Sequence, residues 1–323
     1  MEKRQNGPPA DSAAGLALRV LAAALVIVGS IAMTELVLDS QPGLSPTSGA
    51  KVIDFELDSE QLGETLPVSV VVPPGARDGR RALLVFLHGR GEDESSYLDQ
   101  QMFEALARQR GRAPVVAFPR GGEGSYWHDR ADDGAWGSYV SEELVPELVN
   151  RFDIEPERIA IGGISMGGFG AFDIATREPF QLRSGEPASF CAVGGHSPAI
   201  WQSASETAPG AFDDEADFEA HDVITALDSP GSPLSDTRYW LDVGDGDPFR
   251  EADEALAKAL DAAGAKGRIM IGEGGHEDSY WNSNWGRYMH FYARSLKRCQ
   301  QKQTKAKVDR DRAKSGPGAK KGE

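Results

Sequence analysis

The five residues 83–87 are all apolar, and a strand with no polar face has to be covered on both sides. Strand-like runs, some interrupted by a polar residue, recur along the chain at 52–57, 68–72, 115–118, 159–164, 190–193, 239–243 and 268–271. Helix-like stretches lie among them, at 96–110, 139–152, 167–177, 250–263 and 281–296. Pro146 counts against an unbroken second helix. Alternation of this kind predicts an α/β fold, a mostly parallel central sheet with helices on both faces. Ligands of such sheets bind at the carboxyl ends of the strands. No internal repeat is present.

Hydrophobic content of 40% in 323 residues supports one large domain, assigned to residues 51–296, with a linker at 39–50. The ends differ. Residues 297–323 carry ten Lys or Arg against three Asp or Glu and have little to bury, which predicts a disordered basic tail. Without that tail's +7, the chain's −16 becomes −23 on residues 1–296. Such a field repels phosphate backbones and excludes nucleic acid as a partner.

Residues 16–38 form the long apolar run, with Arg19 and Glu35 as interruptions and a clean centre at 20–33. It reads as a signal peptide or, uncleaved, as a membrane anchor. Lys3, Arg4 and Arg19 before the centre and Glu35 and Asp39 after it favour an N-terminus held inside and a body outside the cytoplasm. Cys191 falls in a strand-like run and Cys299 in the basic tail, so no disulfide framework is expected.

Chemistry concentrates at Gly163-Ile164-Ser165-Met166-Gly167, between a strand and a helix that opens on glycines. In a chain this rich in glycine the bare pattern is weak, and its placement carries the argument. A serine on a sharp strand-to-helix turn stands clear of the sheet, at a helix N-terminus that favours developing negative charge. The nucleophile turn of the α/β-hydrolase fold is built this way, and the stretch resembles it. Gly195-His196-Ser197-Pro198-Ala199 is a near-match, but Pro198 has no N–H to give an oxyanion. Ser197 is therefore set aside.

A serine hydroxyl needs a base, and in this fold the order is Ser, acid, His. His276 lies in a glycine-rich loop after the last strand, whereas His290 stands in a helical stretch among aromatic residues. His276 is the candidate base. Asp247, before Pro248 and the next helix, is the candidate acid, with Asp245 as fallback. His88-Gly89-Arg90-Gly91 ends the strand from which the fold draws its second oxyanion donor, so the backbone N–H groups of Met166 and Arg90 are the candidate donors. His88 reads as a structural hydrogen-bonding residue. The Arg90 side chain is expected to pair with Glu92 or Asp93, or to bind a substrate carboxylate.

At HGRG from His88, GISMGGFGA from Gly163, GDGDPF from Gly244 and GGHEDSYW from Gly274, the chain resembles a group of bacterial esterases. The group comprises esterase D, S-formylglutathione hydrolase, feruloyl and polyhydroxyalkanoate esterases and the mycolyltransferases. Gly124-Ser125-Tyr126-Trp127-His128 and Gly195-His196-Ser197-Pro198 resemble secreted actinobacterial members in particular. The resemblance implies the α/β-hydrolase fold, a Ser165–Asp247–His276 triad and oxyanion donors at Arg90 and Met166. Residues 197–237 are expected to form a small cap. Trp127, Trp136 and Trp201 are read evenly as pocket wall or as core, Trp127 and Trp201 being the candidate substrate-binding residues. The acidic run from Asp213 to Asp217 lacks the glycine placement of a calcium loop and reads as solvated surface, so no metal is expected. Hydrolysis of a small or polymer-borne ester is the leading expectation. Acyl transfer to an alcohol and a non-catalytic binding role are the rivals. Neither enzymatic chemistry needs a cofactor, and the membrane is a partner only through an uncleaved N-terminal segment.

Overall fold

A computed structural model describes residues 47–74, 81–177, 179–228, 234–235 and 237–314, with the backbone alone from 302 onward. The expected signal or anchor at 1–38 and most of the linker lie outside the described residues. Among the described residues no helix is long and apolar enough to cross a membrane.

Eight strands form one sheet: β1 (Lys51–Ser59), β2 (Glu64–Val72), β3 (Arg81–Leu87), β4 (Val115–Pro119), β5 (Ile154–Ile164), β6 (Ala192–His196), β7 (Arg238–Gly244) and β8 (Ile269–Gly272). Their order is β1-β2-β4-β3-β5-β6-β7-β8. The first two neighbour pairs, β1 with β2 and β2 with β4, are antiparallel, and every later pair is parallel. Each strand-like run from 52 onward overlaps one of these strands, as the α/β expectation required.

Burial shows why β3 has no polar face. Leu83, Val85 and Leu87 belong to one core cluster and Ala82, Leu84 and Phe86 to the other, the two-residue period of a strand sandwiched between layers. Helices α1 (Gln100–Arg108) and α7 (Asp278–Lys314) supply the second cluster. Helices α2 (Val145–Arg151), α3 (Met166–Thr176) and α6 (Arg250–Ala262) supply the first. Pro146 sits in the first turn of α2, after a π-helical turn at Tyr139–Leu144. The helix is continuous across the junction, and the Val145 N–H bonds the Val140 carbonyl, so the proline falls where the wider π-helical turn has already shifted the bonding pattern. Two further short helices, α4 (Glu215–Ala220) and α5 (Val223–Leu227), lie in the 197–237 segment.

Two expectations at the C-terminal end are corrected. The basic tail is not disordered from 297: α7 continues to Lys314. Its apolar first half is already ordered against the sheet, so each added residue gains a backbone bond without a new nucleus, and Lys, Gln, Arg and Ala carry that extension well. The same extension brings Cys299 to Cys191 just ahead of β6. The two form a disulfide with Cα atoms 6.3 Å apart, across 108 residues. A link closing so long a loop removes much entropy from the unfolded chain. Cys299→Ser is expected to cost about 2–4 kcal/mol, read as a fall in the urea midpoint with a steeper slope, because the unlinked chain unfolds to a more open ensemble.

Candidate active site

Ser165 sits where β5 turns into α3. Its backbone has φ +54° and ψ −117°, a left-handed conformation that costs a non-glycine residue about 1–3 kcal/mol. Neighbours hold it there: its N–H donates to the His196 carbonyl (3.0 Å), and its carbonyl accepts from Phe169 (3.1 Å) and Ala199 (3.0 Å). The turn also needs close backbone approach. A Cβ on Gly163 would lie 2.6 Å from the Leu87 carbonyl oxygen, and one on Gly167 2.1 Å from it. No side chain fits at either position.

The loops after β7 and β8 bring two more groups to this turn. His276 Nε2 lies 2.8 Å from Ser165 Oγ, and His276 Nδ1 lies 3.0 Å from Asp247 Oδ2. Asp247 Oδ1 accepts from the Phe249 N–H at 2.9 Å. The Asp247 carboxylate is fully enclosed, whereas His276 keeps 23% of its side chain exposed. Burial alone would raise the Asp247 pKa. The hydrogen bond from His276, that from the Phe249 N–H, the His276 charge and the Ser197 hydroxyl together outweigh it and hold the group below its ordinary value. Asp247 therefore stays ionised through the ordinary carboxylate range and accepts a hydrogen bond from the Nδ1–H of His276, which turns the Nε2 lone pair toward Ser165. The fallback acid Asp245 braces the histidine loop instead, accepting from the Gly274 N–H at 3.1 Å.

The loop after β3 runs beside Ser165, where a Cβ on Gly89 would stand 3.6 Å from the Ser165 Cβ. Glu92 accepts the Gly89 N–H at 2.7 Å and the Tyr97 hydroxyl. The next N–H, that of Arg90, has no protein acceptor among the described residues. The N–H of Met166 opens α3 and has no partner within the helix. His88 is structural, with Nδ1 donating to the Gly89 carbonyl (2.8 Å) and Nε2 accepting from the Gly121 N–H (2.9 Å). Burial lowers its pKa, in keeping with a neutral ring. The Arg90 side chain pairs with neither Glu92 nor Asp93. It reaches the Pro209 carbonyl at 3.3 Å.

Trp127 is not wall. It is fully buried, its indole N–H donates to the His88 carbonyl at 3.0 Å, and positive φ at Tyr126 and Trp127 turns it inward. Glycines 121 and 170 make room: a Cβ on either would come within 2.6 Å of the Trp127 side chain. Trp136 is buried too. Trp201 alone of the three borders the site, packed edge-on against Phe249 at 4.9 Å, while Phe249 packs on His276 at 5.1 Å. Sequence reasoning missed Phe249, Glu92 and Ser197. The last is fully buried at φ +47°, beside the acid rather than in the nucleophile's place. Phe249, two residues past Asp247, could have been found by asking what shields the acid.

The acidic run is not simply solvated. Asp213 takes the Arg130 guanidinium through two nitrogens (2.8 and 2.6 Å), and Asp217 faces His128 at 3.2 Å. These bonds fasten the 197–228 segment to the loop after β4. His128, Asp217 and His221 are, among the described residues, a set with ligand-type atoms within 4.8 Å of one another. The Arg177 guanidinium lies against His221, 3.4 Å from its Nε2, and is paired with Asp173. A cation already stands where a metal would need anionic surroundings, so the cluster works as a hydrogen-bond network.

Behind Asp247, Asp253 of α6 is fully buried and neither oxygen has a partner among the described residues. Burial first, then the charges of Asp247 and Asp242, push its pKa well above the carboxylate range. A carboxyl with a raised folded-state pKa binds its proton more tightly when folded, so stability falls as pH climbs from about 4 through the raised value. Asp253→Asn is expected to stabilise the protein, and more at pH 8 than at pH 5 in urea unfolding. An equal gain at both would contradict a protonated Asp253.

The family model described as "Putative esterase" matches residues 59–306. S-formylglutathione hydrolase of Paracoccus denitrificans (strain Pd 1222) is 28% identical over 249 residues, covering 70% of this chain and 86% of its own length. The Bos taurus S-formylglutathione hydrolase is 26% identical over 253 residues, covering 70% and 87%. Among solved structures a ferulic acid esterase superposes with TM-score 0.64 at 20% identity, over 76% of this chain and 99% of its own.

Proposed function

The chain belongs to the "Putative esterase" family, and from that premise we propose that it hydrolyses carboxylic esters through Ser165, His276 and Asp247 by way of an acyl-enzyme. The observation that carries this reading is the 2.8 Å approach of His276 Nε2 to Ser165 Oγ, with Asp247 Oδ2 3.0 Å from Nδ1 behind the ring. Ser165 Oγ attacks the ester carbonyl while His276 Nε2 takes its proton. Asp247 holds the imidazole and stabilises the imidazolium without taking a proton itself. The N–H groups of Met166 and Arg90 receive the carbonyl oxygen as it becomes an oxyanion. His276 then protonates the leaving alcohol, and a water activated by the same nitrogen releases the acid.

Trp201 and Phe249 supply an apolar wall beside His276 for the acyl or alcohol group. The body works outside the cytoplasm in this reading, supported by the charge bias around residues 16–38 and by the Cys191–Cys299 disulfide, a bond that persists in oxidising compartments. Product analysis on nitrophenyl esters with added trehalose or a simple alcohol tests the chemistry. Free acid as the main product is expected. Acylated alcohol outrunning free acid would make the protein an acyltransferase and overturn hydrolysis.

A further inference from the structure

A cavity of about 900 Å³ opens far from Ser165 between α7, the end of α1 and the starts of β7 and β8. Strand β7 begins at Arg238 in this cavity and ends at Gly244 near Asp247, a span of about 20 Å at the usual rise per residue. Eight Arg or Lys side chains line it and no carboxylate does, in a chain whose net charge is −16. Arg108 pairs with Glu104 at 3.3 Å, and Arg268 lies over the Trp240 ring at 4.8 Å. For Arg112, Arg238, Arg294 and Arg298 no carboxylate partner occurs among the described residues. The Arg238 Nε is buried without a hydrogen-bond partner among the described residues. Burial lowers the Arg238 pKa, and the charges of Arg298 and Arg294 lower it further. Like charges held this close repel one another, and a multiply charged anion would relieve them.

We propose that this groove binds a compact polyanion carrying two or more phosphate groups. Guanidinium forks match phosphate oxygens two at a time. Phosphate packs more charge into a small volume than carboxylate does, which suits eight cations around one cavity. The concave shape, floored by Trp240 and Phe291, fits a discrete ligand, free or borne on a lipid headgroup, better than a flat surface. Arg287, Arg294 and Arg298 share one face of α7, and the disulfide at Cys299 fastens that helix where the last of them reaches the groove.

Calorimetric titration of the full chain with inorganic tripolyphosphate tests this, with vesicles of cardiolipin, which carries two phosphates, of phosphatidylglycerol, which carries one, and of phosphatidylcholine as separate arms. One tripolyphosphate per chain is expected, weakened about 100-fold in Arg294→Glu/Arg298→Glu, the loss of two charge-assisted contacts. Nitrophenyl ester turnover should stay within about twofold, because the groove lies a strand's length from Ser165. Arg112→Glu, on a separate loop, should weaken binding about tenfold and serves if the double variant does not fold. Tripolyphosphate bound together with cardiolipin vesicles supports a site open to headgroup phosphates, and tripolyphosphate bound alone supports one for free polyanions. Absence of tripolyphosphate binding, or binding that neither variant changes, overturns the proposal. Capture by phosphatidylglycerol vesicles without tripolyphosphate binding overturns it as well, since the cations would then serve a surface and not a site.

Discussion

Ser165→Ala should lower kcat/KM for a short nitrophenyl ester by about 10⁵-fold or more, close to 7 kcal/mol of transition-state stabilisation. The loss is that large because the proposed nucleophile has no neighbour able to replace it. Ser197, the other serine in a nucleophile-like motif, is enclosed and stands on the acid's side of the site. A residual rate above water should remain, since the Met166 and Arg90 N–H groups are untouched. Ser165→Ala/His276→Ala should be no slower than either single variant, because the two groups act as a unit. A double variant slowed by the product of the single effects would mean that Ser165 and His276 act in separate steps.

Gly167→Ala should be among the most destabilising single substitutions in the chain, at about 3–5 kcal/mol. In an ordinary helix the change would gain about 1 kcal/mol. Here the new Cβ would fall 2.1 Å from the Leu87 carbonyl oxygen and 2.8 Å from that of His88. Both contacts are to backbone at the end of β3, so relief requires moving the central sheet or the α3 N-terminus. Overpacking of this kind exceeds the helix-propensity gain. Gly111→Ala is the control, because nothing lies within 4 Å of its Cβ position, and its urea midpoint should barely move. Equal midpoints for the two variants would show that the Ser165 turn tolerates expansion.

The fold was legible because the strands show as short apolar or alternating runs, as in β3 and β1, with helix-like stretches between them. The site was legible because Ser165, Asp247 and His276 each follow a strand, where chain order and glycine placement leave few choices. The structure brings all three together. The rest depended on direction and neighbours, which local pattern does not encode. Trp127 and Trp201 look alike as residues, yet positive φ turns one into the core while the other remains beside Phe249. The acidic run reads as surface until Arg130 and His128, more than eighty residues earlier, are seen to meet it. Cys299 was read as tail because its own neighbours bury nothing, although the helix entering from Asp278 decides where it goes.

The most direct measurement is reaction of the full chain with a fluorophosphonate, read by intact mass and peptide mapping, with Ser165→Ala and His276→Ala alongside. The account predicts one adduct per chain on Ser165, none in Ser165→Ala and a much slower reaction in His276→Ala. A folded parent chain that stays unlabelled, or that carries its adduct on another residue, would contradict it.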